Sequence, residues 1–254
     1  MFTTVIAGIE GSAADADAIA LAELLRAPGG SIVPTRVQPG RPVGHGLHDA
    51  ARARDADLIV VGSSGRGLVG RILAGDEVIA TLRGAPCAVA IAPHGFASAP
   101  HALTSIGVGY DGSAQAQTAI DRARELAAPS GARVRALGIA SPPQGIVTPI
   151  GISAVAALDA ARDRAEHCVA QLNGGVIAHA VDGIAHQRLT ELSREVDLLV
   201  IGSSRRGALG RVLLGSTAES LSREAACPLL VVPAHASSRP GQGRPDRPAS
   251  APAA

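Results

Sequence analysis

The sequence contains no lysine: all 23 of its basic residues are arginine. That removes the lysine of a Walker A phosphate loop, a Schiff-base lysine and a catalytic Ser–Lys pair. Aromatic residues are almost as scarce. One tyrosine, two phenylalanines and no tryptophan in 254 residues leave almost no rings on which nucleobases could stack. A formal net charge of +1 supplies no basic field for a polyanion. Nucleic acid and anionic membranes are therefore not expected partners. The three cysteines form no even framework, which points to a reducing compartment. No run approaches the roughly 18–20 apolar residues of a membrane span, and the opening MFTTVIAGIEGS does not read as a signal peptide. The expected location is cytoplasmic.

What is present is an internal repeat. The segment DLIVVGSSGRGLVGRILAG starts at Asp57, and DLLVIGSSRRGALGRVLLG starts at Asp197. The same offset of 140 relates Gly62 to Gly202, Gly75 to Gly215, Cys87 to Cys227 and Pro93 to Pro233, with 16 identities in the 37 ungapped pairs. The openings TVIAGIEGS and SIGVGYDGS also match, but Gly11 and Gly112 are only 101 apart. The first half is thus short by 39 residues (140 less 101), roughly one strand–helix unit with its connections.

The second half alternates strands and helices. Strands are expected at 104–110, 134–139, 176–181, 198–201 and 229–232. Helices are expected from 113 to about 128 and over 153–172, 184–195 and 216–226. The first half should carry four strands, at 5–9, 32–37, 58–61 and 88–92, with helices to about 26, at 47–54 and at 76–82. Near-continuous apolar strands separated by helices predict an α/β fold: open parallel sheets with helices on both faces, two such domains in tandem. The expected units are residues 1–98, residues 99–235 and a disordered tail, 236–254, rich in proline and glycine.

Each half carries a glycine loop after a strand. The first reads Gly62-Ser-Ser-Gly65, nine residues, then Gly75. The second reads Gly202-Ser-Ser-Arg205, nine residues, then Gly215-Ser216-Thr217. Glycine lets backbone N–H groups approach a phosphate, and a Gly-Ser opening a helix adds hydroxyls at the helix N-terminus. This pattern resembles the G-x2-G-x9-G-[S/T] loop of the universal stress protein family. The strand ending in Asp-Gly-Ser and the closing strand CPLLVV resemble it too. The likeness covers everything but the tail. It implies a Rossmann-like fold and an ATP site with Mg²⁺, in which Asp111 contacts the nucleoside and Gly202, Gly215, Ser216 and Thr217 hold phosphates. Glu10, Gly62, Gly65 and Gly75 are the matching positions in the first half.

Both halves depart from the pattern. Asp76-Glu77 stand where the family has its Ser/Thr, and two carboxylates at a helix N-terminus repel a polyphosphate. Arg205 replaces the second glycine, where a guanidinium fork suits phosphate oxygens. ATP is accordingly expected in the second half, and the first half is the weaker candidate. The family commonly dimerises through its last strand, so 88–92 and 229–232 are expected to pair within the chain as a pseudo-dimer, with a homodimer left open. Cys87 and Cys227 read as small buried hydrophobes, and His45 and His48 as a solvated helix face. No catalytic constellation appears, so no enzyme is expected, with weak ATP hydrolysis left open. The expected role is a stress-response regulatory module with an unknown protein partner. The alternative is a nucleotide-free structural or partner-binding pseudo-domain protein.

Overall fold

The computed structural model describes residues 1–36, 43–63, 69–141, 154–203, 212 and 214–233. The expected tail, Gly65 and Arg205 lie outside them. The first half runs β1 (Phe2–Ile9), α1 (Ala14–Leu25), β2 (Arg26–Arg36), α2 (Val43–Ala53), β3 (Leu58–Gly62), α3 (Asp76–Leu82) and β4 (Ala88–Ala92). A 3-10 turn (Phe96–Ser98) then leads to β5 (Ser105–Gly109), α4 (Ala114–Ala127), β6 (Arg133–Ala140) and α5 (Ala154–Ala170). The chain continues through β7 (Val176–Asp182), α6 (Ala185–Leu192), β8 (Leu198–Gly202), α7 (Ser216–Glu224) and β9 (Leu229–Val232).

The strands form one nine-stranded sheet in the order β2-β1-β3-β4-β9-β8-β5-β6-β7. Every neighbouring pair is parallel except β4 and β9, which join the halves antiparallel with Ala90 opposite Leu230. The two expected open sheets are thus continuous, and the two last strands protect each other's edges. The sheet's true edges are β2 and β7. Strand β2 contains Pro28 and Pro34, which an edge strand tolerates because it has one side free of ladder bonds. It starts at Arg26, directly after α1, rather than near Ile32, and a register shift between Phe2 and Thr4 absorbs Pro28-Gly29-Gly30.

Two apolar cores lie on the two faces. On one, Ala18, Leu21 and Leu25 of α1, Ile120 and Ala123 of α4 and Val169 of α5 pack on Leu58, Val60, Val108 and Val200. On the other, Leu47 of α2, Ile79 and Leu82 of α3, Leu189 of α6 and Leu221 of α7 pack on Ile59, Val89, Leu199 and Val231. Both cores draw on both halves. Each fully buried Leu or Ile contributes about 1.5–3 kcal/mol, so much of the stability is held in common.

The repeat persists in atomic detail. Asp57 accepts hydrogen bonds from Thr3 N (2.8 Å), Thr3 Oγ1 (2.7 Å) and Thr4 N (3.0 Å). Asp197 does the same for Thr104 N (2.8 Å), Thr104 Oγ1 (2.6 Å) and Ser105 N (2.8 Å). Each ties the start of the half's first strand to the strand beside it. Strand β2 pairs with β1 as β6 pairs with β5, so α5 and β7 lack a counterpart in the first half. A Cβ on Gly112 would lie 2.6 Å from Cys168 Sγ of α5, whereas Gly11, its counterpart, has nothing within 4 Å.

The expected solvated face of α2 needs correction. His45 is exposed, but His48 is buried, and its Nε2 donates to the Thr81 carbonyl of α3 at 2.8 Å. Burial pushes its pKa down, Arg52 and His45 add to that, and the Thr81 hydrogen bond opposes it.

Candidate nucleotide site in the second half

A cavity of about 430 Å³ opens at the C-terminal ends of β5, β6 and β8. Strand β5 has β6 on one side and β8 on the other, so the cavity sits where the strand order reverses, the usual ligand position in open α/β sheets. Its volume falls in the range of small-molecule sites. Asp111 and Ser113 after β5, Gly202 and Ser203 at the end of β8, and Gly215, Ser216 and Thr217 at the start of α7 all line it. A second space of about 750 Å³ shares Tyr110, Asp111, Ile139 and Ser141 and extends over α5 to Arg164 and Cys168.

The turn between β5 and α4 is built by its own polar groups. Asp111 Oδ1 accepts from Ser113 N at 3.0 Å, and Gly112 takes φ +75° between them. Ser113 Oγ accepts from Ala116 N at 3.1 Å and caps α4. The start of α7 differs. Gly215 is its N-cap with no side-chain hydrogen bond, and the first bond of the helix runs from Glu219 N to Gly215 O. The preceding first-turn N–H groups have no intrahelical acceptor. They stand beside the cavity with the Ser216 and Thr217 hydroxyls, at the positive end of a helix dipole.

Gly202 has another task. A Cβ there would lie 2.5 Å from the Gln115 carbonyl oxygen and 2.6 Å from its carbon. The glycine therefore admits the first turn of α4 onto the end of β8. Gly62 does the same for α1, where a Cβ would strike the Ala14 carbonyl. Both first glycines of the loop pattern are packing residues.

The first half's counterpart is already filled. Glu10 N and Gly11 N donate to the Asp15 carboxylate at 2.9 and 2.8 Å, and Ser12 N adds a longer bond of 3.3 Å. These amides form the anion nest of the β1–α1 turn, and its anion is internal. Asp76 and Glu77 open α3. Burial raises the Glu10 pKa, and the negative charges of Glu77 and Asp15 raise it further. Gly75 caps α3 at φ −74° in open space, so it is not held there by sterics. Sequence reasoning missed Asp15, although the offset of 101 sets it opposite Ala116.

The model of the universal stress protein family matches residues 6–93 and 103–233. The chain belongs to the universal stress protein family. It is 28% identical over 203 residues to Universal stress protein Rv2319c of Mycobacterium tuberculosis (strain ATCC 25618 / H37Rv), covering 76% of this chain and 70% of that one. A putative universal stress protein from Pseudomonas aeruginosa UCBPP-PA14 superposes with a TM-score of 0.62 at 15% identity, over 91% of this chain and 93% of that chain. A universal stress protein from Archaeoglobus fulgidus DSM 4304 gives 0.59 at 15% identity, over 91% and 98%. Those two structures share the fold of this universal stress protein. Among its described residues, no helix is long and apolar enough to cross a membrane, and no three His, Cys, Asp or Glu side chains are grouped to hold a metal.

Proposed function

We propose that the protein is a cytoplasmic stress-response regulatory module that binds ATP with Mg²⁺ in the cavity of its second half. The carrying observation is the start of α7, without a side-chain cap among the described residues, beside a cavity of about 430 Å³ that Asp111 also lines. In this reading Asp111 takes the nucleoside, while Gly215, Ser216 and Thr217 take phosphate oxygens, with Arg205 as a further cation. Mg²⁺ travels with the phosphates. The first half binds no nucleotide, because Asp15 occupies its nest and Asp76 and Glu77 stand where phosphates would lie. Within one chain the β4–β9 pair then plays the part of a dimer seam between the units 1–98 and 99–235.

The test is calorimetric titration of ATP with Mg²⁺ into the intact protein and into Gly215→Asp. Gly215 has φ −89° and ψ 166°, which aspartate adopts freely, and aspartate is a good N-cap. The variant therefore folds normally while placing a negative charge at the phosphate position. Binding in the wild type that Gly215→Asp abolishes supports the site. No heat, and no rise in melting temperature at about 1 mM ATP, refutes it.

A further inference from the structure

The two halves are interlocked above the sheet as well as through it. Val212 lies in the second half's glycine loop, three residues before Gly215, and is fully buried. Its partners belong to the first half: Val212 N donates to Ala85 O at 2.9 Å, and Gly84 N donates to Val212 O at 2.8 Å. The other end of α7 is held from the same side. Ile72 N donates to Ala225 O and Ala74 N to Ser222 O, both at 2.9 Å. Four backbone hydrogen bonds from the first half thus bracket the helix whose N-terminus lines the cavity. The arrangement follows the repeat, since the bond from Ile72 to Ala225 and the bond from Val212 to Ala85 are related by the offset of 140 at both ends. What the first half lacks, the α5–β7 unit, lies at the far edge of the second half's sheet. What it retains includes every element of the interlock.

We propose that the truncated half is the positioning element of the second half's ligand site. Gly84 and Ala85 fix the glycine loop at Val212, and Ile72 and Ala74 fix the end of α7, so ligand affinity in one half is set by residues of the other. The proposal rests on the nucleotide reading for its ligand but not for the anchoring itself.

Gly84 is the place to test it. It takes φ +79° with nothing within 4 Å of a would-be Cβ, so Gly84→Ala introduces backbone strain without a clash. Gly131→Ala is the matched control: φ +68°, the same open space, and a position before β6 away from the seam. Two readouts on the full-length variants separate the claims. The first is limited proteolysis with trypsin, whose cleavage sites in the loop are Arg205, Arg206 and Arg211. The second is ATP affinity by calorimetry. We expect Gly84→Ala to be cut at these arginines faster than the wild type and Gly131→Ala. We expect it to bind ATP about fivefold more weakly, at the low end of usual coupling between sites. Unchanged cleavage overturns the anchoring. Faster cleavage with unchanged affinity overturns the coupling. Faster cleavage in a protein whose wild type binds no ATP upholds the anchoring and discards the nucleotide reading alone.

Discussion

Gly202 decides whether the first glycine of the loop serves the ligand or the fold, and Gly202→Ala separates the two. A new Cβ would stand 2.5, 2.6 and 2.8 Å from the Gln115 carbonyl oxygen, its carbon and its Cβ, below the 3.0 Å that real Cβ atoms keep. These atoms are the backbone and Cβ of Gln115 on the first turn of α4, which no change of rotamer moves aside. Strand β8 is paired on both flanks and cannot retreat. Overpacking of this kind costs about 1–3 kcal/mol, which for a chain of this length is roughly 3–10 °C in Tm. Urea unfolding followed by far-ultraviolet circular dichroism suits a protein without tryptophan. The comparison is Gly75→Ser, where the backbone is ordinary and the space open. A serine at that N-cap shifts stability by only about 0.5 kcal/mol or less. If Gly202→Ala unfolds at the wild-type urea midpoint and loses only nucleotide binding, the packing argument is wrong.

The buried His48 gives a pH signature. Its folded pKa lies below the ordinary value of 6.5, so the neutral ring is stable in the fold above that pH. As pH falls through about 6.5 the unfolded chain takes up the proton first, and stability is lost until the folded pKa is reached. The stability gap between wild type and His48→Gln should therefore narrow from about pH 7.5 to about pH 5.5, and a constant gap would sink the assignment. The thiols give another. Burial pushes Cys87 and Cys227 up to about 12, while Cys168 is only half-buried. A disulfide reagent at about pH 8 should find at most one fast thiol in the native protein and all three after denaturation. Two fast thiols in the native state would contradict the burial.

The sequence was most legible where glycine or proline brackets a short apolar run. Helix Asp76–Leu82 and strands Ala88–Ala92 and Leu229–Val232 have the bounds expected of them. It misled where those residues lie inside an element. Pro28-Gly29-Gly30 lies before the strand expected at 32–37, yet it falls within β2, because an edge strand needs only one set of ladder bonds and a register shift takes up the slack. His48 misled for another reason. Two histidines three apart define a shared face only if that face is known, and Leu47 and Ala51 put the buried arc of α2 through His48 and not through His45. The packing role of Gly62 and Gly202 was hidden because a loop motif and a close helix approach ask for the same residue.

The two halves differ at the site through charge as much as through length. The offset of 101 pairs Asp15 with Ala116, and the offset of 140 pairs Asp76 with Ser216. At both positions the first half carries a carboxylate and the second half does not. One carboxylate closes the nest of Glu10, Gly11 and Ser12, and the other sits in the first turn of α3, where the helix dipole favours it. The first therefore satisfies donors that a ligand would otherwise satisfy, and the second puts a negative charge where a ligand's would lie. The loss of α5 and β7 removes the wall behind the same turn, as the open space at Gly11 records against the contact of Gly112 with Cys168. A filled nest together with an intact set of seam bonds at Ile72, Ala74, Gly84 and Ala85 is what a half retained for its neighbour requires.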